Sequence, residues 1–252
     1  MNIKVMTFNL RTPVKADGEN YFPNREENVL NAIKTEDPDI IGFQEMADYS
    51  RAFLKRSLSD YVVIGCGRSD KYLGESCSIA FKRDKFDLVN FETEWLSSSP
   101  SVAGSIYEGS DQSCWPRVFV RAELCFGEDG KRLYFYNTHL DHKGAQARLL
   151  GMNQIIQSIS SCDAPFVLTG DMNAVPSALE TQLPLHLKNK AVKDATDNIT
   201  HSFHGFGKID SGCKIDYIYT DAEFFDTHIV SDAHENGVYI SDHYVICTTL
   251  VI

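Results

Sequence analysis

An α/β or α+β fold, in which strands alternate with helices, is indicated by three features of the sequence. Short apolar runs of strand length recur along the chain, and three longer segments between them carry apolar residues at helical spacing. No internal repeat and no linker interrupts this pattern. Because 252 residues are enough for one large domain, we expect a single domain over residues 1–252.

Three amphipathic helices are expected, over residues 24–35, 47–58 and 144–160. In the first of them, Asn24 is followed three residues later by Glu27 and resembles a capping box, the pair that begins many helices. Each segment places its apolar residues on one side of the helix, which predicts helices that pack on a core.

Nine apolar runs have the length and composition of strands. They are Ile3–Leu10, Asp39–Gln44, Val62–Gly65, Ser78–Phe81, Val118–Leu124, Leu133–Thr138, Phe166–Thr169, Ile215–Tyr219 and Val245–Val251. Most are apolar nearly throughout, so we expect strands that are buried on at least one face. Residues 97–113 hold seven serines and two glycines with little periodicity, and they predict a long loop that is either functional or an ordered surface excursion.

The composition limits the class of protein. Hydrophobic residues make up 43% of the chain and charged residues 23%, as in a soluble globular protein. No apolar stretch is long enough for a spanning helix, and the first residues lack the pattern of a signal peptide. The seven cysteines are odd in number and have no CxxC spacing, so free thiols in a reducing cytoplasm are expected.

The net charge of −11 argues against promiscuous binding of nucleic acid. Proteins that bind duplex DNA usually carry a basic face, because neutralisation of the DNA phosphates supplies most of the non-specific affinity. Carboxylates that surround metal ions also raise the formal negative charge, so the balance does not exclude a nucleic-acid substrate.

Apolar runs repeatedly lead into an Asn, Asp, Glu or His. The residues reached in this way, in six segments of the chain, are Asn9, Glu45, His139, Asp171 with Asn173, Asp216, and Asp242 with His243. Each alone has a structural explanation, since Asp and Asn also form turns at strand ends. Together they predict one site, because strand ends converge at the edge of a sheet.

The types of these residues favour Mg²⁺ or Mn²⁺ over zinc. Oxygen donors dominate the set, and hard cations prefer oxygen ligands. Residues 137–142 differ from the dinuclear zinc motif His-x-His-x-Asp-His by having Asn137 in place of the first histidine. Because loss of that ligand would cripple a zinc site, we reject this interpretation.

Asp216 lies between apolar residues of a strand, where an unpaired carboxylate would be costly. Its partner could be a metal ion, a histidine or Lys214, and hydrogen bonds from the backbone are a further alternative. His243 is a plausible partner, because an aspartate fixes the tautomer of an imidazole and holds its positive charge.

Taken together, these segments resemble the endonuclease/exonuclease/phosphatase superfamily. The motifs that carry the resemblance occur in family order and are Thr7–Arg11, Gly42–Glu45, Asn137–Leu140, Gly170–Asn173, Ile215–Tyr217 and Ser241–His243. An uncharacterised bacterial and fungal branch is more similar still, through Phe22–Arg25, Gly65–Arg68, Gly74–Glu75, Trp95–Ser97, Pro116–Arg117, Thr138–His142 and Ala147–Arg148. The sequence departs from that branch at Phe22, usually Trp, and at Met172, where Phe is common. Neither position is expected to touch catalysis.

The resemblance implies a DNase I-like fold, a four-layer sandwich of two packed mixed β-sheets flanked by helices. It also implies a phosphoesterase that uses Mg²⁺ or Mn²⁺. Glu45 resembles the principal metal ligand, with Asn9 beside it and Asp242 as a second metal contact. By the same resemblance, Asp171 would orient or deprotonate the attacking water, and Asn173 would hold a phosphate oxygen.

The resemblance also implies roles for the histidines. His243, paired with Asp216, would hydrogen-bond the phosphate, and His139 would stabilise the pentacoordinate phosphorus or aid the leaving group. The contribution of Asp141 and His142 stays open, because other branches vary there.

Arginines in the motif segments are candidates for substrate binding, because arginine binds phosphate bidentately. Arg117 is the preferred one, and Arg25 and Arg148 are further candidates; the alternative for each is an ordinary ion pair at the surface.

The sequence leaves three functions open. They are a phosphodiesterase or phosphatase on a small phosphorylated molecule or lipid headgroup, a nuclease on single strands, and a catalytically inactive binding module.

Overall fold

The strands form two six-stranded mixed sheets in the computed structural model, which describes residues 1–209, 212–230 and 237–252. The first sheet has the order β11-β12-β1-β2-β4-β3. Its strands are β1 (Asn2–Asn9), β2 (Ile40–Met46), β3 (Tyr61–Ile64), β4 (Ser76–Lys82), β11 (Glu223–Ile229) and β12 (Ile246–Val251).

The second sheet has the order β5-β6-β7-β8-β10-β9. Its strands are β5 (Phe86–Trp95), β6 (Val118–Phe126), β7 (Lys131–His139), β8 (Phe166–Asp171), β9 (Lys193–Asp194) and β10 (Asp216–Thr220). All nine strands that the sequence predicts are present, with ends that differ by one or two residues.

The helices are α1 (Phe22–Glu36), α2 (Asp48–Ser57), α3 (Ala145–Ser160) and the short α4 (Leu179–Gln182), with 3₁₀ turns at Lys15–Asn20 and Leu183–His186. The first three confirm the predicted helices. The prediction of a capping box at Asn24 is wrong, because α1 begins at Phe22 and has Pro23 in its first turn. The Asn24 side chain donates a hydrogen bond to Glu19 O instead. Within the described ranges, no helix is both long and apolar enough to cross a membrane.

Both sheets have the same central arrangement. In the first sheet, β1 and β2 are parallel and α1 connects them, and in the second sheet β7 and β8 are parallel and α3 connects them. The neighbouring strands are antiparallel to these pairs. Ligand-type residues therefore collect where the carboxyl ends of the two parallel pairs meet.

Three apolar clusters separate four layers. The cluster between the sheets joins β1 and β2 to β6 and β7, with Val5, Ile40, Val120 and Phe135 among its fully buried members. A second cluster packs α1 and α2 on the first sheet, and a third packs α3 on the second sheet. This arrangement confirms the four-layer sandwich.

A buried polar bridge joins the sheets directly beneath their carboxyl ends. The Asn137 amide, on β7, donates to the carbonyls of Phe43 and Ser78 in the other sheet, at 2.7 and 3.0 Å. The Gln44 amide donates in return to Asn137 Oδ1 at 2.6 Å. The sheets approach so closely here that a Cβ on Gly42 would lie 2.1 Å from the Thr169 hydroxyl. Asn137 therefore holds the sandwich together.

Three strands escape prediction because they lie at or near sheet edges. The β5 and β11 strands are mostly half-buried or exposed, and β9 has only two residues. An edge strand contacts solvent, so its sequence lacks the apolar run by which buried strands are recognised.

Replacement of Asn137 by Leu is expected to destabilise the fold by about 2–5 kcal/mol, because two buried carbonyls lose their donor. In a protein of this size the melting temperature should fall by about 5–15 °C. Thermal unfolding measures it, with Asn153→Leu on the exposed face of α3 as the matched control. Equal melting temperatures for the two variants would refute the structural role of Asn137.

Candidate active site

A cleft of about 460 Å³ lies where the two parallel strand pairs end. Its lining residues are Arg11, Thr12, Glu45, Arg68, Glu75, Trp115, Arg117, His139, His142, Asp171, Asn173, Phe203, Ile215, Asp242 and His243. Sequence segments far apart in the chain thus meet in one pocket.

A β-bulge directs Glu45 into the cleft. The register between β2 and β4 shifts between Phe43 and Met46, and Glu45 has a positive φ of 55°. A bulge lets neighbouring side chains take new directions, and here Gln44 lies between the sheets while Glu45 lies in the cleft. Thr12 N donates to Glu45 Oε2 at 2.9 Å and fixes the carboxylate.

Asn9, the last residue of β1, connects the carboxylates of both sheets. Its Nδ2 donates to Glu45 Oε1 at 3.2 Å and to Asp171 Oδ2 at 3.0 Å, and it lies 3.4 Å from His243 Nε2. Its amide oxygen accepts from Arg11 N at 2.9 Å. In this orientation Asn9 organises the acids through its NH₂ group, and to ligate a metal through oxygen its amide would have to reverse.

Asp171 is buried at the end of β8 and is held from both sides. Its Oδ1 accepts from Asn173 N at 2.9 Å, and its Oδ2 lies 3.5 Å from His139 Nε2. Asn173 has a positive φ of 48°, and one N–H of its amide donates to Leu140 O at 3.0 Å. The tight turn after β8 therefore presents both side chains to the cleft.

Asp216 and His243 form a buried pair, with Asp216 Oδ2 2.8 Å from His243 Nδ1. The Ser202 hydroxyl donates to the same carboxylate oxygen at 2.6 Å, and it accepts from Asp216 N at 3.0 Å. Lys214 is committed elsewhere, because its ammonium donates to Asp194 at 2.6 Å. Of the partners considered for Asp216, the structure shows a histidine.

The two buried histidines of the cleft differ in charge. Burial opposes protonation of His243, but the neighbouring carboxylates, chiefly Asp216, raise the pKa of His243 to about 10. Burial, with the positive charges of Arg117 and Arg68, lowers the pKa of His139 well below its usual range. At neutral pH the site therefore holds one imidazolium and one neutral imidazole.

The acids of the cleft destabilise each other's charge. Burial, reinforced by the negative charge of Asp216, raises the pKa of Asp171 to about 7. Burial also raises the pKa of Asp242, whose Oδ2 lies 3.7 Å from Arg11 Nε. A bound cation would relieve this repulsion.

Arg117 and Asp141 connect the cleft to the long loop that the sequence predicts, which runs irregularly between β5 and β6. Arg117 is 4% exposed and lies 3.5 Å from Asp141 Oδ2 and 2.9 Å from His142 Nδ1. Asp141 accepts hydrogen bonds from Ser113 and from Gly144 N, and despite burial these bonds hold the pKa of Asp141 well below its usual range. Asp141 thus serves to anchor the loop and Arg117.

Comparison with known proteins identifies the family. The sequence model of the Endonuclease/Exonuclease/phosphatase family matches residues 6–243. The chain belongs to this family.

Members of the Endonuclease/Exonuclease/phosphatase family are phosphoester hydrolases and generally use divalent metal ions, so the predicted enzyme class is confirmed. An endonuclease/exonuclease/phosphatase from Bacteroides vulgatus is 28% identical, with a TM-score of 0.91 over 100% of this chain and 99% of that one. A mannosyl-6-phosphatase from Bacteroides thetaiotaomicron is 24% identical, with a TM-score of 0.85 over 99% and 100%. An uncharacterised protein of Acanthamoeba polyphaga mimivirus is 23% identical over 79% of each chain.

Two arginines that the sequence proposes for substrate binding lie outside the cleft of this family member. Arg25 is fully buried, and its guanidinium donates to the carbonyls of Leu10, Arg11, Asn20 and Ile240. Arg148 pairs with Glu180 at 2.7 Å and donates to Asp141 O at 3.1 Å. Both guanidinium groups are already occupied by protein oxygens, so the geometry assigns them to holding loops in place.

Sequence reasoning missed residues that position other side chains of the cleft. Ser202 lies in an irregular segment, and nothing in the local sequence shows that it contacts Asp216. Glu75 lines the cleft as the partner of Arg68, at 2.9 Å, although the sequence marks it only as part of a motif. Phe22 and Met172, the two residues at which the sequence departs from the similar bacterial and fungal branch, are fully buried in the cores around α1 and α3.

The donor set suits a hard divalent cation. Ligand atoms of Glu45, His139 and Asp171 all lie within 4.8 Å of one another, and Asp242 lines the same cleft. Oxygen atoms dominate, as Mg²⁺ requires, and the mutual repulsion of the acids gives a cation a favourable place. The residues present therefore fit the metal that the family generally uses.

Millimolar Mg²⁺ is expected to raise the melting temperature, because a cation that binds only the folded state stabilises it by mass action. At a hundredfold excess over Kd the gain is about 2.7 kcal/mol, or roughly 5–10 °C here. Glu45→Gln should abolish this shift, whereas Glu128→Gln in the exposed β6–β7 turn should keep it. Scanning calorimetry with and without Mg²⁺ tests the site, and an unchanged shift in Glu45→Gln would remove Glu45 as a ligand.

Proposed function

We propose that the protein is a Mg²⁺- or Mn²⁺-dependent phosphatase or phosphodiesterase acting on a small phosphorylated molecule or lipid headgroup. The observation that carries the proposal is the meeting of Glu45, Asp171, His139 and His243 in one cleft, with a buried arginine, Arg117, whose Nε and Nη1 donate no hydrogen bond among the described residues. One domain over the whole chain and a cytoplasmic location remain part of the proposal. The core shared between the sheets supports the single domain.

Asp171 is proposed to orient the attacking water and accept its proton. Its Oδ1 is held by Asn173 N, so that Oδ2, beside Asn9 and His139, is the oxygen nearest the reaction. A general base must be fixed within hydrogen-bond reach of the proton that it takes. The metal, held by Glu45 with Asp242 nearby, would neutralise negative charge on the phosphate oxygens when bound.

The positive groups of the cleft are proposed to bind the phosphoryl oxygens. His243 carries its charge because Asp216 supports it, and Asn173 retains an amide N–H beyond the one given to Leu140. Arg117 Nε and Nη1 are buried and donate no hydrogen bond within the described residues. His139 is neutral and can donate to the leaving oxygen or stabilise the pentacoordinate phosphorus. Such prearranged donors stabilise developing charge at little reorganisation cost.

A small substrate is favoured over a polynucleotide by the charge around the cleft. Each arginine that lines it lies beside a carboxylate: Arg11 with Asp17, Arg68 with Glu75, and Arg117 with Asp141. A strand of nucleic acid needs a groove of uncompensated positive charge. A single-strand nuclease remains the second candidate, because the exposed indole of Trp115 at the cleft could stack on a base.

Asp171→Asn is expected to lower kcat by about 10²–10⁴-fold with little change in stability, because the amide cannot accept the proton of water. Purified protein with Mg²⁺ or Mn²⁺ is assayed against phosphorylated metabolites and labelled single-stranded oligonucleotides. Asp129→Asn, in an exposed turn, is the control and should keep full activity. Oligonucleotide cleavage that vanishes in Asp171→Asn would reverse the order of the two candidates, and full activity in that variant would refute the assignment.

Arg117→Lys is expected to reduce kcat/KM by about 10–100-fold, because lysine keeps the charge but loses the planar fork that binds two oxygens. The matched control is Arg121→Lys on β6, whose arginine pairs with Glu92 at 2.7 Å away from the cleft. Steady-state kinetics on the best substrate separate the two variants. If they behave alike, Arg117 does not bind the substrate.

A further inference from the structure

A second cavity, of about 550 Å³, adjoins the catalytic cleft. It shares Thr12, Arg68, Glu75 and Trp115 with the cleft, so that the two spaces are continuous. We call this cavity the annex. Its volume lies in the range of pockets that bind small molecules.

Most of the wall of the annex comes from two loops that are packed tightly against each other. Trp95 Nε1 donates to Arg68 O at 2.7 Å and ties the 65–75 loop to the end of β5. On the other side, a Cβ on Gly104 would lie 2.8 Å from Asp70 N, so the long loop reaches this contact only with glycine. The annex is thus formed by the fold before a ligand binds.

One face of the annex is apolar. The Trp115 and Leu73 side chains are each 56% exposed although they lie in a concave surface. The Arg68 guanidinium lies 5.8 Å from the Trp115 ring centroid and supports the indole. An exposed indole in a pocket wall offers a surface on which the C–H face of a ring can stack.

The rim of the annex is polar, and Asp70 gives it one negative charge that no cation lining the annex in the described part of the chain neutralises. Arg68 is neutralised by Glu75, and among the described residues the Asp70 carboxylate accepts no hydrogen bond from a protein group. The Ser69 hydroxyl accepts from Lys71 N and Leu73 N, which leaves its proton free to donate. A free carboxylate beside a free hydroxyl suits a ligand that carries hydroxyl groups and disfavours a second phosphate.

From the continuity of the two cavities, the indole face and the hydroxyl-binding rim, we infer that the annex binds the leaving group of the substrate and that this group is a sugar ring. The inference rests on the proposed function and names its substrate class as a phosphorylated sugar. In the reaction, the oxygen of water bonds to phosphorus as the bond from phosphorus to the sugar oxygen breaks. The sugar oxygen takes up a proton as it leaves, so that free sugar and phosphate are released.

The test compares a hexose 6-phosphate with glycerol 3-phosphate, which has the same charge but no ring. Trp115→Ala and Leu73→Ala should each lower the ratio of kcat/KM for the hexose phosphate to that for the glycerol phosphate, Trp115→Ala by about tenfold. Trp115→Phe should restore most of the ratio, and Asp70→Asn should lower it. Leu179→Ala is the control, because Leu179 is exposed and lines neither cavity.

A binding measurement separates the annex from catalysis. Asp171→Asn is titrated with hexose 6-phosphate in the presence of Mg²⁺ by calorimetry, alone and combined with Trp115→Ala. Binding of the hexose phosphate that weakens about tenfold in the variant without the indole supports the annex. This holds even if no substrate is ever turned over, because the absence of turnover would refute only the proposed function. An unchanged ratio in Trp115→Ala, or a stronger preference for a mononucleotide than for the sugar phosphate, overturns the inference.

Discussion

The apposition of two parallel strand pairs is the constraint on which the whole site depends. Each pair alone brings only two ligand-type side chains to its edge, Asn9 and Glu45 in one sheet and His139 and Asp171 in the other. The sheets meet because Gly42 leaves room for them, and Asn137 spans the gap with hydrogen bonds to carbonyls of the opposite sheet. Since leaving those buried carbonyls unpaired would be costly, the sheets cannot slide past each other. The bonds that hold the sandwich therefore also hold together the two walls of the cleft.

Much of this arrangement follows from the sequence, because buried strands have a strong apolar signature and Asn9 and Asp171 simply stand at their ends. The direction of a side chain is harder to foresee. Glu45 reaches the cleft through a bulge and a positive φ, which no residue pattern around it demands. Arg25 shows the reverse error: its residue type suggests phosphate binding, yet folding encloses it among carbonyls. Contacts between distant segments, such as Ser202 with Asp216, leave no local trace at all.

The charge of each ionisable side chain in the cleft depends on its position in the sheets and on the charged groups beside it. Asp171 and Asp216 are opposite each other in the register of β8 and β10, so two buried acids are forced together. His243 lies between them, with nitrogens 2.8 Å from Asp216 and 3.8 Å from Asp171, and becomes an imidazolium. His139 lies nearer the arginines and stays neutral. A histidine's charge in this site is thus decided by packing, because an identical side chain a few ångströms away takes the opposite state.

In the proposed mechanism, the chemistry and the selection of substrate occupy different parts of the fold. The acids and histidines lie on strands or within a few residues of a strand end, whereas most of the annex wall comes from two loops outside the sandwich. Only a few residues line both spaces, and two of them, Arg68 and Glu75, form an ion pair within the 65–75 loop. Changes in the loops can therefore reshape the annex while the strand ends keep their geometry. This division explains how one catalytic frame can serve different phosphoesters, since a strand-borne site needs no change when the loops do.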